Sequence, residues 1–144
     1  MAALTQSKKV DRVGTQAVSD KLSFPVAATT HIYNGALVFL NAGYATPATV
    51  ATGRLAVGVA QAEVDNDPGA AGDLEIEVRP GIFAFENNGA NAVAQANVGS
   101  LCYAEDDQTV STNATGRSAA GRVIRIEGTK IWVQVGLGLS LGDK

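Results

Sequence analysis

The chain has 144 residues, of which 46% are hydrophobic, 17% charged and 6% aromatic, and it carries a formal net charge of −3 at pH 7. That length suits one ordinary domain with a proper core and no covalent staples. The charged fraction lies well under the usual figure of about 25%. Much of the surface is therefore neutral, and a mildly acidic chain gives no footing for nucleic acid.

Residues 1–24 stand apart from the rest. Lys8, Lys9, Arg12 and Lys21 face Asp11 and Asp20, a net +2, so the remainder carries −5. Leu4, Val10, Val13, Val18 and Leu22 keep neither a strand nor a helix period. The segment reads either as a frayed terminus or as a basic arm that orders on a partner. No apolar run reaches the ~18 residues of a membrane helix, and the start of the chain lacks the apolar core of a signal peptide. A soluble product of a reducing cytoplasm is expected.

From Pro25 onward the signals are β. Seven short runs rich in Val, Ile, Leu and aromatics are expected as strands, at 35–43, 54–64, 74–85, 100–106, 109–112, 122–128 and 130–139. Turn-forming stretches separate them: "NAGYATPA", "DNDPGAAGD", "ENNGAN", "EDDQ", "NATGRSAAG" and "EGTK". Gly128-Thr129 predicts a hairpin tip. The one helical stretch is "NAVAQANVG", 91–99, where one or two turns are expected before Gly99. The pattern predicts an all-β sandwich or small barrel at 25–144 behind an arm at 1–24. "YNGALVFLNAGYATPAT" and "NVGSLCYAEDDQTVSTN" share a plan, either a duplicated strand–turn–strand unit or two hairpins that converge on similar chemistry.

The run at 74–85 changes character along its length. Leu74, Ile76 and Val78 alternate with Glu75, Glu77 and Arg79. Continued past Pro80-Gly81, the charged face becomes Phe83 and Phe85. Two causes fit. A bulge slips the register and turns both rings inward, or the second face is covered by the arm, the short helix or another subunit. Near the end of the chain, Trp132 and Gln134 lie opposite Ile131, Val133 and Val135, so Trp132 is expected to be partly covered by a neighbour. Lys8, Lys9, Arg12, Phe83, Phe85 and Trp132 are the candidate interface residues.

No catalytic set emerges. His31 has no local nucleophile to serve and reads as a structural histidine. There is no serine elbow. The Gly-x-Gly of "GLGLSLG" precedes no helix and cannot cradle a phosphate. In "DNDPGAAGDLEI" a calcium loop would need Gly sixth and Glu twelfth; counting from Asp65 those places hold Ala70 and Ile76, so the stretch reads as a turn. The acidic "EDD" at 105–107 reads the same way. Arg117, Arg122 and Arg125 sit among carboxylates, which favours pairing over nucleic-acid contact. Cys102, the single cysteine, lies in an apolar run as a small buried hydrophobe. No cofactor or metal is expected.

Five stretches, taken together and in order, resemble the capsid decoration, or cement, proteins of tailed bacteriophages. They are "IYNGALVFLNAGYATPA", "LAVGVAQAEVDN", "IEVRPGIFAFEN", "ANVGSLCYAEDDQTVS" and "AAGRVIRIEGTKIWVQVG". The likeness covers about Phe24 to Gly136 and leaves the first residues outside. It implies a tulip-like compact β-domain and a non-enzymatic structural protein. It also implies a place on the outer surface of the virion head, where the major capsid protein is the partner. Self-association as a homotrimer is expected, with a dimer as the variant. The rival reading from a different class is a non-catalytic carbohydrate- or ligand-binding β-module. The few aromatics, mostly within apolar runs, disfavour it.

Overall fold

The computed structural model describes residues 21–137. The expected all-β class forms, in twelve strands rather than seven among the described residues. They are β1 (Leu22–Pro25), β2 (Thr30–Ile32), β3 (Leu37–Asn41), β4 (Tyr44–Pro47), β5 (Leu55–Ala60), β6 (Val64–Asn66), β7 (Glu75–Arg79), β8 (Gly81–Asn87), β9 (Leu101–Ala104), β10 (Thr109–Ser111), β11 (Ala119–Glu127) and β12 (Lys130–Val135). The arm boundary moves, because residues 22–24 belong to β1 and pair with β7.

Strands β8 to β12 close into a barrel in the order β10-β8-β12-β11-β9. Strands β1 to β7, apart from the β2–β6 ribbon, form a five-stranded sheet in the order β1-β7-β5-β3-β4. A single parallel bridge, Val26 to Ala45, links the two edges of that sheet. The two assemblies repeat one plan: β1, β7, β5, β3 and β4 correspond to β8, β12, β11, β9 and β10. The register repeats as well. Val38 faces Gly58 and Phe39 faces Ala56, with one residue of β5 bulged between; Cys102 faces Gly121 and Tyr103 faces Ala119, with one residue of β11 bulged between. Gly35 N–H donates to Ala60 C=O at 3.0 Å, and Gly99 N–H donates to Val123 C=O at 2.8 Å. The similarity between the two hairpins in the sequence is therefore part of a longer structural repeat that includes all five strands of each half.

Two cores fill the two halves. Val38, Val57, Ile76, Val78 and Ala45 belong to the first; Phe85, Cys102, Val110, Val123, Ile131 and Val133 belong to the second. Strands β3 and β5 serve both, because Leu37, Phe39, Ala56 and Val59 pack into the second core. Burial on two faces is why "LVFL" and "AVGVA" read as unbroken apolar runs. Ser118 clips the halves together: its hydroxyl donates to Ala51 C=O at 2.7 Å and accepts from Arg54 N–H at 3.1 Å.

The run at 74–85 crosses from one half to the other. β7 pairs with β1 and β5, whereas β8 pairs with β12 and β10. Pro80, which has no N–H to donate, and Gly81, at φ +153°, lie at the crossing. The alternation slips by one there. Ile76 and Val78 point into the first core, and Phe85 points into the second with Phe83 packed against it.

The short helix expected near 91–98 is reduced to one 3-10 turn, Gln95–Asn97. Asparagine side chains take the backbone groups a helix would use. Asn88 Oδ1 accepts from the N–H of Ala90 and Asn91 at 3.0 and 2.8 Å. Asn87 holds Val93 from both sides, accepting its N–H at 2.8 Å and donating to its C=O at 3.0 Å. This is the local competition that makes asparagine a poor helix-interior residue.

Candidate interaction surface

The barrel built from β8 to β12 has no free strand edge, so it cannot take a partner by strand addition. A partner of this barrel must meet a face. The outward residues of β8, β12 and β11 form rows across the sheet. Ala84 faces Trp132, which faces Arg125; Ile82 faces Gln134, which faces Arg122. The bulge between Val123 and Arg125 leaves Ile124 without a ladder partner. Ile82 is 47% exposed and Ile124 38% exposed, while Trp132 between them is half-buried.

Charged pairs border this apolar centre on one side. Lys130 pairs with Glu86. Glu127 accepts from Arg125 Nη2 at 3.0 Å through Oε2, and from the Trp132 indole N–H at 3.1 Å through Oε1. The indole is thus fixed at the margin of the patch with its polar atom satisfied. An apolar centre with a charged rim is the general anatomy of a protein contact.

The candidate interface residues named from sequence fall into three groups. Trp132 lies on this face. Phe85, at 4% exposure, belongs to the core of the second half, and Phe83 is partly buried against the same core. The slip at Pro80-Gly81 withdraws Phe85 from the outer surface, which is a correction to its place in an interface. Lys8, Lys9 and Arg12 lie outside the described residues, as does most of "GLGLSLG". The sequence reading missed Ile82, Ala84 and Ile124. The first two become visible once one residue of phase is removed at Pro80-Gly81; Ile124 depends on a bulge that carries no local sign.

His31, the acidic turn, Asn66 and Glu105 have structural partners. His31 Nε2 lies 2.7 Å from Glu63 Oε2, and Nδ1 lies 3.9 Å from Asp65 Oδ2. In the acidic turn, Asp65 Oδ1 accepts from Asp67 N–H at 3.1 Å and Asp73 Oδ2 from Ala70 N–H at 2.9 Å. Buried Asn66 donates to the carbonyls of Ala27 and Ala70 at 3.0 Å each. Glu105 accepts from Arg117 Nη2 at 3.0 Å and from the Ser111 hydroxyl at 2.6 Å, and these two bonds, Arg117 first, hold its carboxyl below the ordinary glutamate range. Burial pushes the Cys102 thiol up to about 12, so it is neither a nucleophile nor a metal ligand at neutral pH. No family model, curated protein or solved structure matches the chain.

Proposed function

We propose that this protein is a structural virion component that binds the outer surface of a tailed-phage head and clamps neighbouring major capsid protein subunits. One observation carries the reading: the apolar patch formed by Ile82, Ala84, Ile124 and Trp132, set on a closed barrel and bordered by the Lys130–Glu86 and Arg125–Glu127 pairs. It joins the likeness between the sequence and the cement proteins. A clamp needs a stiff body and neutral contact area, and a barrel whose core is shared with a second half is such a body. The basic residues Lys8, Lys9 and Arg12 supply a second contact, toward acidic capsid surface. The working form is a homotrimer at the joints between capsid subunits.

The test is co-sedimentation with empty expanded heads assembled from the major capsid protein of the same phage or prophage genome. Saturable binding and a higher temperature of head disruption support the proposal. Heads that pellet without the protein, at concentrations where it is folded, refute it.

A further inference from the structure

A cavity of about 240 Å³ opens where the two halves meet, lined by Tyr33, Asn34, Gly35, Ala36, Asp107 and Gln108. We propose that it binds a single neutral pyranose ring, the terminal sugar of a glycan. The site is separate from the Ile82–Trp132 face and independent of the capsid reading.

The cavity lies where the two halves differ. Beside Gly35, the counterpart of Gly99, it is built from features that the two halves do not share. The β9–β10 turn leaves four residues outside its strands, 105–108, where the β3–β4 turn leaves Ala42 and Gly43. The β2–β6 ribbon, whose first strand leads directly into Tyr33 and Asn34, belongs to the first half alone. Both departures converge on this cavity, although the barrel of the second half closes without any counterpart of the ribbon.

The turn and the aromatic ring of the lining are both held in place. Asp107 C=O accepts from Leu37 N–H at 2.9 Å, and Gln108 C=O accepts from Glu86 N–H at 2.8 Å, so the turn is tied to both halves. The Tyr33 ring rests against the His31 imidazole, with centroids 4.2 Å apart, and Glu63 Oε2 anchors that imidazole at Nε2, 2.7 Å away. Tyr33 is nevertheless 58% exposed. A braced ring with an open face costs little ordering when something settles on it.

The chemistry of the lining narrows the ligand class. The Asn34 and Gln108 amides and the Tyr33 hydroxyl make no side-chain hydrogen bond to another described residue. The lining offers amide donors, amide acceptors, a carboxylate and an aromatic face, and it holds no cationic side chain. An anion would meet Asp107 uncompensated. A divalent cation needs six or more oxygens in most sites, and this cavity has one carboxylate. An organic ammonium would suit Asp107 but would leave the amide N–H groups facing a like charge. Sugar hydroxyls both donate and accept, and the C–H face of a pyranose covers an exposed aromatic ring. The volume leaves room for one such ring.

The experiment is saturation-transfer NMR on the full-length protein with methyl glycosides of glucose, mannose, galactose and N-acetylglucosamine at tens of millimolar. Tetramethylammonium and inorganic phosphate serve as cation and anion probes. At least one glycoside is expected to bind saturably. Tyr33→Ala and Asp107→Asn should each weaken it by about tenfold or more, while Tyr44→Ala, an exposed tyrosine outside the cavity, leaves it unchanged. Circular dichroism verifies that each variant is folded. Three results overturn the proposal: no glycoside binds, tetramethylammonium or phosphate binds in place of the sugars, or glycoside binding survives Tyr33→Ala.

Discussion

Gly58 and Gly121 hold the same place in the two halves of the molecule, each beside a bulge and each pressed against a carbonyl of the next strand. A Cβ at Gly58 would lie 2.6 Å from Arg79 O, and one at Gly121 would lie 2.0 Å from Gln134 O. Arg79 and Gln134 are themselves the paired neighbours of Val59 and Arg122, one residue beyond each glycine. The repeat thus reaches down to a shared steric requirement. Gly58→Ala and Gly121→Ala should each cost at least about 2 kcal/mol through displaced backbone. Gly121→Ala should be the worse of the two. Gly128→Ala has open space around it and only its φ of +63° to resist it, so its cost should be about 1–2 kcal/mol. Thermal melting of the three variants gives the order.

Phe85 and Ile82 separate core from surface on a single strand. Phe85→Ala should destabilise by about 3–5 kcal/mol, as buried aromatic truncations do. Ile82→Ala should stay within roughly 0.5 kcal/mol of the parent and show its effect in capsid binding. Equal melting losses for both would place Ile82 inside the fold and remove it from the proposed contact face.

The class of the fold was legible because alternation and turn residues are local. Its partition into two halves was not. Nothing between Leu74 and Asn87 marks a change of sheet except Pro80-Gly81, and those residues also fit a simple bulge. β1 and β2 are short and carry Ser, Thr and His, so their apolar signal is weak; their status comes from pairing with the distant β7 and β6. The helical turn expected at 91–99 is confined to Gln95–Asn97, because side-chain competition from Asn87, Asn88 and Asn97 offsets the propensity of the alanines. Of the contact surface, Trp132 was legible from strict alternation in β12. Ile124 was not, since a bulge is a property of two strands.

Glu105 and Asp107, two residues apart, should respond to acid in opposite senses. Arg117 and Ser111 hold the Glu105 carboxyl below its ordinary 4.5. A depressed folded value means stabilisation that is full above 4.5 and lost as pH falls through the folded value. Glu105→Gln should therefore melt below the parent at pH 7, and the gap should close on acidification. Asp107 is raised above its ordinary 3.8, by burial first and by the Asp106 charge second. Its ionised form disfavours folding, so Asp107→Asn should melt above the parent at pH 7 and lose that advantage below 3.8. Melting curves from pH 7 to pH 3 check both signs.

Cys102 should be inert in the folded protein, because its thiol is buried and pushed up to about 12. A thiol reagent at pH 8 should label it only at the rate of unfolding, and denaturant should release full labelling. Prompt reaction in buffer would show that the barrel opens locally at β9.

Removal of residues 1–20 should leave both halves of the fold intact, because the β1 ladder begins at Leu22. The melting temperature should hardly move. Capsid binding should weaken, and more at low salt than at high salt, since Lys8, Lys9 and Arg12 act through charge. Unchanged binding would remove these residues from the contact.

The most direct measurement is an electron cryo-microscopy map of empty heads incubated with the full-length protein. Density is expected over the joints between major capsid protein subunits, with the β8–β12–β11 face and Ile82, Ile124 and Trp132 turned toward the shell. Bare heads, or decorated heads with that face turned to solvent, would contradict the account.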